Sequence, residues 1–163
     1  MARVAPSDAE PAMPDLLVDL ARRAGEAFNT RDVDGLAALI HDDCEFHSAF
    51  GQIEGRVYRG PAETAAYVED IDVMFDDWHL ESEQFHPAPN SRIVSTYRAI
   101  GRAKESEIPV DFALALLWEV KDGKLIRGEV HLDQAQALRN AGLTELAETW
   151  RPTQRAGGLR FRG

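Results

Sequence analysis

The chain has few of the sequence features on which disulfides, membrane-spanning helices and cofactor-binding loops depend. Its 163 residues include one cysteine, Cys44, so no internal disulfide can form. No stretch is apolar enough for a signal peptide or a membrane-spanning helix, and together with the lone cysteine this predicts a cytoplasmic protein. Glycine-rich phosphate loops, nucleophile elbows and recognised Cys/His pairs are also missing. We therefore expect no cofactor and no covalent mechanism.

Basic residues are scarce over most of the chain. Residues 1–150 carry 14 Lys and Arg against 28 Asp and Glu, a net charge of −14, whereas residues 151–163 contain four arginines and no acid. An acidic body repels phosphate groups, which argues against nucleic acids and anionic membranes as partners. Metal binding is not predicted, because the His and Asp clusters at 41–43 and 76–79 match no zinc or calcium spacing.

The length and the order of the predicted elements indicate one α+β domain. A chain of 163 residues, 44% of them hydrophobic, can bury one core but is short for two. We expect a flexible leader over residues 1–14, a single domain over 15–145 and a basic tail over 146–163. Apolar residues at three-and-four spacing, together with helix caps, predict helices at 15–30, after Asp32 up to a turn at 42–43, and at 60–75.

Strands dominate the second half of the sequence. Alternating side chains predict strands at 45–47, 78–85, 92–102, 112–120 and 125–132, followed by a helix capped by Asp133. The strand at 112–120 is apolar on both faces in its middle, with bulky residues on one face and Ala113, Ala115 and Leu117 on the other. This second face predicts a homodimer that packs sheet against sheet. The alternative is a monomer in which another segment, such as the tail, covers the face.

Several short segments together resemble the NTF2-like superfamily, in particular its SnoaL-like proteins. They are Phe28 to Asp32, Leu36 to Ile40, Asp42-Asp43, Glu45-Phe46-His47, Tyr58-Arg59-Gly60, Asp122-Gly123-Lys124, Leu132-Asp133, Ala137-Leu138 and Ala141-Gly142-Leu143. The resemblance covers about residues 15–145. It implies an α+β cone, in which a strongly curved mixed or antiparallel sheet wraps around the N-terminal helices and a pocket opens at the wide end. Polyketide cyclases, ketosteroid isomerases, dehydratases, epoxide hydrolases and non-catalytic binding domains share that cone, so the site needs a separate argument.

The catalytic residues of two such enzymes do not transfer to this sequence. The base of ketosteroid isomerase would fall at Ser48 and its tyrosine donor at Ala24, and neither side chain can fill the role. The aspartate of the polyketide cyclase pattern would fall at Val130. A shift of one residue would bring Glu129 or His131 to that place, but it requires a bulge.

Four other polar residues are the candidate catalytic groups. His47 is a candidate because histidine as a residue type serves as an acid or base near neutral pH, although strand alternation places it on the outer face if Phe46 points inward. Tyr58 can donate a hydrogen bond at the predicted pocket mouth, or it is a rim residue. His131 lies on the same face of its predicted strand as Glu129. It either belongs to the site or lies on the outer surface of the sheet. Asp133 is either the acid after the last strand or the N-cap of the next helix.

A pocket in such a cone would be mostly apolar. The predicted ligand-binding residues are aromatic: Phe46, Phe50, Tyr67, Trp78, Tyr97, Phe112 and Trp118. They predict a small apolar or aromatic ligand, with a hypothesis of cofactor-independent isomerase, cyclase or lyase chemistry. The alternative is a non-catalytic interaction or structural homodimer whose cone is filled by its own side chains.

Overall fold

Three helices and a short strand pair form the first half of the molecule. The computed structural model describes residues 12–49 and 55–155, and the predicted Phe50 lies outside them. The helices are α1 (Met13–Thr30), α2 (Val33–Leu39) and α3 (Gly60–Met74). The apolar residues of α1 recur on one face and are buried, as the spacing predicted. None of the helices in the described ranges is both long and apolar enough to cross a membrane.

Six strands form one mixed sheet. They are β1 (Ile40–His47), β2 (Val57–Arg59), β3 (Phe75–Ala88), β4 (Arg92–Ala103), β5 (Pro109–Lys121) and β6 (Lys124–His131). Their order across the sheet is β2-β1-β6-β5-β4-β3. All neighbours are antiparallel except β1 and β6, which are parallel. The curved sheet wraps around α1 and confirms the predicted α+β cone.

The structure differs from the sequence prediction at several elements of the sheet. The predicted turn at 42–43 is instead part of β1, where the pairing with β6 is irregular between Ile40 and Glu45. Strand β2 was not predicted, because only three residues pair with β1. Strand β3 continues through Pro87, which pairs with Ile93. Proline is tolerated there because β3 lies at the edge of the sheet, where one side of the strand needs no ladder hydrogen bond.

Two short helices cover the outer face of the sheet. Helices α4 (Gln134–Asn140) and α5 (Thr144–Glu148) pack on β4 and β5 and form a second apolar cluster. Ala115 is fully buried in this cluster and Leu117 is 6% exposed, while Ala113 beside them is half-buried. In the predicted dimer contact through Ala113, Ala115 and Leu117, the assignment of Ala115 and Leu117 to the interface is therefore wrong. Their apolar surface is already removed from water by the same chain, as in the alternative of a covering segment.

Candidate functional site

Aromatic side chains of the described residues pack together in the interior of the cone. The ring of Phe46 lies 4.7 Å from that of Tyr67 and 5.4 Å from that of Trp118, measured between centroids. Near the other end of the cone, the rings of Trp78 and Phe112 lie 5.9 Å apart. The cavity that remains beside Tyr67 and Trp78 has a volume of about 10 Å³. This is room for one water molecule at most. Five residues of the predicted aromatic lining therefore pack as core: Phe46, Tyr67, Trp78, Phe112 and Trp118.

Tyr58 belongs to a polar group at the end of that aromatic core. Its ring is fully buried, and its hydroxyl donates a 2.7 Å hydrogen bond to Asp70 on α3. Arg56 lies over the Tyr58 ring at 4.4 Å and donates to the same carboxylate at 3.2 Å. Burial, followed by the bond to Asp70, raises the pKa of Tyr58 well above its usual value. The hydroxyl is thus held protonated and already has an acceptor.

His47 lies on the outer side of the sheet, as alternation predicted. Its neighbour Phe46 is completely buried in the cone, whereas the His47 side chain is half-buried and lies 3.4 Å from the Glu45 carboxylate. Glu45 also accepts from Arg59 at 2.7 Å, which lowers the pKa of its carboxyl. The structure therefore does not bring His47 together with the inward-facing Tyr58.

His131 and Asp133 also have separate surroundings. His131 Nε2 lies 2.9 Å from Glu129, and this bond, together with Arg127, lowers the pKa of Glu129 to about 2. Asp133 is exposed and caps α4 by accepting from the Gln136 N–H at 3.2 Å. Each of the two predicted catalytic groups thus has a structural partner of its own.

An open groove runs between α1 and β3. Its volume is about 290 Å³, and it is lined by Arg22, Gly25, Glu26, Asn29, Leu80, Glu83 and Tyr97. Among the lining residues, the Asn29 amide donates to the Leu80 carbonyl at 2.9 Å and accepts from the Leu80 N–H at 2.8 Å. This pair of bonds fixes the distance between α1 and β3.

Glu83 and Tyr97 bring an acid and a phenol together in the groove. Both lie against Gly25, where an added Cβ would come within 2.7 Å of Glu83 Oε2 and 3.3 Å of the Tyr97 hydroxyl. Burial raises the pKa of Glu83 from 4.5 to about 7, and the Tyr97 hydroxyl and the Arg22 charge oppose the rise. Tyr97 is itself buried, and burial together with the Glu83 charge raises its pKa well above the usual range. The groove thus holds an acid that is half-ionised near pH 7 beside a neutral hydroxyl.

A bulge in β3 turns Glu83 toward α1. The register against β4 shifts between Glu81 and Gln84, and Ser82 has a left-handed φ of 59°. Before the bulge Leu80 points into the core, and after it Phe85 does, so the inward face changes from even to odd positions. Sequence analysis missed Glu83 because regular alternation places it outside. The odd spacing between Leu80 and Phe85 was the available signal.

No group of three or more His, Cys, Asp or Glu side chains within residues 12–49 and 55–155 is arranged to hold a metal ion.

Comparison with known proteins places this architecture in a family. Residues 21–128 match the SnoaL-like domain family. The chain belongs to this family. No curated protein sequence matches the chain significantly.

Solved structures share the fold of this SnoaL-like domain at low sequence identity. An NTF2-like protein of unknown function from Burkholderia pseudomallei is 21% identical, with a TM-score of 0.64 over 77% of this chain and 97% of that one. A protein from Xanthomonas campestris pv. campestris, proposed to be a polyketide cyclase, is 18% identical, with a TM-score of 0.63 over 73% and 91%. A protein with a ketosteroid isomerase-like fold from Catenulispora acidiphila, solved with trimethylamine, is 16% identical, with a TM-score of 0.62 over 82% and 98%.

Proposed function

We propose that this SnoaL-like domain binds a small, mostly apolar molecule in the groove between α1 and β3 and performs cofactor-independent acid–base chemistry there. The observation that carries the proposal is the buried Glu83 carboxyl, with a pKa of about 7, beside the Tyr97 hydroxyl. A strongly perturbed acid in a cleft is typical of a functional site, because burial of a charge costs stability that a purely structural residue would avoid.

The two groups have complementary roles in proton transfer. The Glu83 carboxylate removes a proton from a carbon next to a carbonyl, and the electron pair of that C–H bond moves onto the carbonyl oxygen. The Tyr97 hydroxyl donates a hydrogen bond to the resulting enolate oxygen. The neutral Glu83 then returns its proton to carbon, which gives exchange or isomerisation without a cofactor. A pKa near the working pH suits a group that must both accept and donate.

The filled cone favours a second candidate, a non-catalytic interaction or structural protein. A remaining cavity of about 10 Å³ in the cone leaves no room for a ligand among the central aromatic residues. Under this alternative Glu83 is a buried acid without a substrate. The homodimer remains a prediction, and its contact would have to lie outside the surface that α4 and α5 cover.

Deuterium exchange of a simple ketone separates these two candidates. Cyclohexanone is incubated with the protein in D₂O near pD 7, and NMR follows the loss of its protons next to the carbonyl. We expect exchange faster than in buffer, abolished by Glu83→Gln and weakened by Tyr97→Phe.

Glu26→Gln is the matched control, because Glu26 is an exposed glutamate on the wall of the same groove. If the Glu83 and Glu26 variants exchange the ketone as fast as the unchanged protein, or if the protein never exceeds buffer, the proposal is wrong and the structural candidate stands.

A further inference from the structure

A second hollow opens on the other side of Glu83. It lies between the β3 bulge and residues 149–155, which we call the C-terminal segment, and its volume is about 560 Å³. The lining residues are Ser82, Glu83, Gln84 and residues 149–154. Glu83 also lines the groove beside α1, so the two hollows share the residue to which we assign the acid–base chemistry.

The C-terminal segment is held firmly enough to form a binding wall. Gln134 on α4 is 3% exposed, and its side-chain oxygen accepts from Trp150 Nε1 and from the Thr153 N–H, both at 2.9 Å. Arg98 donates to the Thr153 carbonyl at 3.0 Å, and Arg155 reaches Glu81 on β3 at 3.4 Å. These bonds tie the C-terminal segment to a helix and two strands, so its side chains have defined positions.

Trp150 is the large planar group in this wall. Its indole N–H is bonded to Gln134, and its ring packs edge-to-face on His86 at 5.0 Å. The side chain is nevertheless only half-buried, unlike Trp78 and Trp118 of the cone. A fixed, partly exposed indole is a suitable surface for an aromatic or flat apolar group.

The bulge in β3 brings neighbouring residues to the two hollows. Ser82 has a left-handed conformation at the bulge and lines the larger hollow, and the next residue, Glu83, lines both. The Glu83 Oε2 atom itself packs beside Gly25 and the Tyr97 hydroxyl.

We propose that the substrate is an elongated molecule that spans both hollows, with its reacting carbonyl end at Glu83 and a flat apolar group at its far end against Trp150. This inference rests on the acid–base function proposed above and adds the substrate class and Trp150 as a residue that determines specificity. A compact ketone fills only the groove of about 290 Å³, whereas an elongated one also uses the larger hollow of about 560 Å³.

The test compares two ketones that share the same reacting ring. Cyclohexanone and 4-phenylcyclohexanone are assayed by deuterium exchange, and the readout is the ratio of their KM values. Because both ketones report on the same protein sample, this ratio cancels a general loss of folded protein. We expect the phenyl compound to have a KM ~10-fold lower, because its ring buries additional apolar surface on the indole. Trp150→Ala should reduce the ratio to about 1, and Trp150→Phe, the matched aromatic control, should retain most of it.

Each outcome bears on a different conclusion. Equal KM values for the two ketones, or a ratio that Trp150→Ala leaves unchanged, overturn the elongated substrate while Glu83-dependent exchange of cyclohexanone still supports the acid–base function. If neither ketone shows exchange that depends on Glu83, the acid–base function itself is wrong, and the substrate class inferred from it is wrong as well.

Discussion

The raised pKa of Glu83 predicts a specific pH dependence of stability, and this dependence can be measured without a substrate. In the unfolded chain the carboxyl titrates near its ordinary value of 4.5, whereas in the folded protein it holds its proton up to about pH 7. Between these values the unfolded state binds fewer protons, so the folded protein loses stability as the pH rises. Below pH 4.5 the carboxyl is neutral in both states, and above pH 7 the loss is complete.

The size of this effect follows from the pKa values. A rise from 4.5 to about 7 corresponds to ~3 kcal/mol, at about 1.4 kcal/mol for each pKa unit. Since Glu83 borders two open hollows, solvent screens part of the penalty, and we expect ~1–2 kcal/mol. Glu83→Gln removes the ionisable group with little change in shape. The variant should therefore gain ~1–2 kcal/mol relative to the unchanged protein between pH 4.5 and pH 8.

Urea unfolding at several pH values between 4.5 and 8 measures this difference. The quantity of interest is the free energy of unfolding of the variant minus that of the unchanged protein, because titrations common to both cancel. Glu129→Gln provides a control of opposite sign. Its partner His131 and Arg127 lower the pKa of Glu129 to about 2, so the stabilising contribution of this carboxylate is fully present from pH 4.5 to pH 8. In that range Glu129→Gln should therefore be less stable than the unchanged protein by a constant amount.

A flat result would refute the reasoning. If the difference between Glu83→Gln and the unchanged protein stays constant from pH 4.5 to pH 8, the carboxyl is not held neutral by burial, and the physical basis for its role as a proton carrier is lost.

Three further substitutions test the packing around the site and the core. Gly25→Ala should leave the free energy of unfolding nearly unchanged, because a gain of ~1 kcal/mol in helix propensity offsets the cost of displacing Glu83. The same substitution should lower the pKa of Glu83, which a carbon-13 NMR titration measures. Gly128→Ala should cost about 2–3 kcal/mol in urea unfolding, because its Cβ would come within 2.5 Å of the Trp118 ring. Gln134→Ala should cost about 2–4 kcal/mol in the same assay, since it leaves several buried groups without partners.

Most of the fold was predictable because its signals are local. The apolar stripe of α1, the Asp133 cap and the alternation of β5 each depend on neighbouring residues in the sequence. What covers the second face of β5 was not predictable by such means. The sequence pattern alone predicts that Ala115 and Leu117 form an exposed apolar surface. In the structure α4 covers them, and this contact joins segments about 20 residues apart.

The candidate site was predictable only in part, for a similar reason. Tyr97 was expected as a ligand-binding residue from its aromatic character, and it lines the groove. Glu83 was missed because its position depends on one extra residue in β3, which reverses the inward face between Leu80 and Phe85. A regular pattern cannot show such a change. The glycine at position 25, in the middle of α1, is likewise explained only by the structure, in which the Glu83 carboxylate packs against it.

The parallel pairing of β1 with β6 also determines when the sheet can be completed on the ribosome. His47 ends β1, yet its partner Glu129 on β6 is synthesised roughly 80 residues later, a wait of roughly 4–16 s at usual translation rates. In the sheet β6 is the strand that joins β2-β1 to β5-β4-β3, so without β6 both β1 and β5 would have an open edge. Translation that stops before Lys124 would therefore release a product able to pair with other chains, so the last strand protects the newly made protein from aggregation.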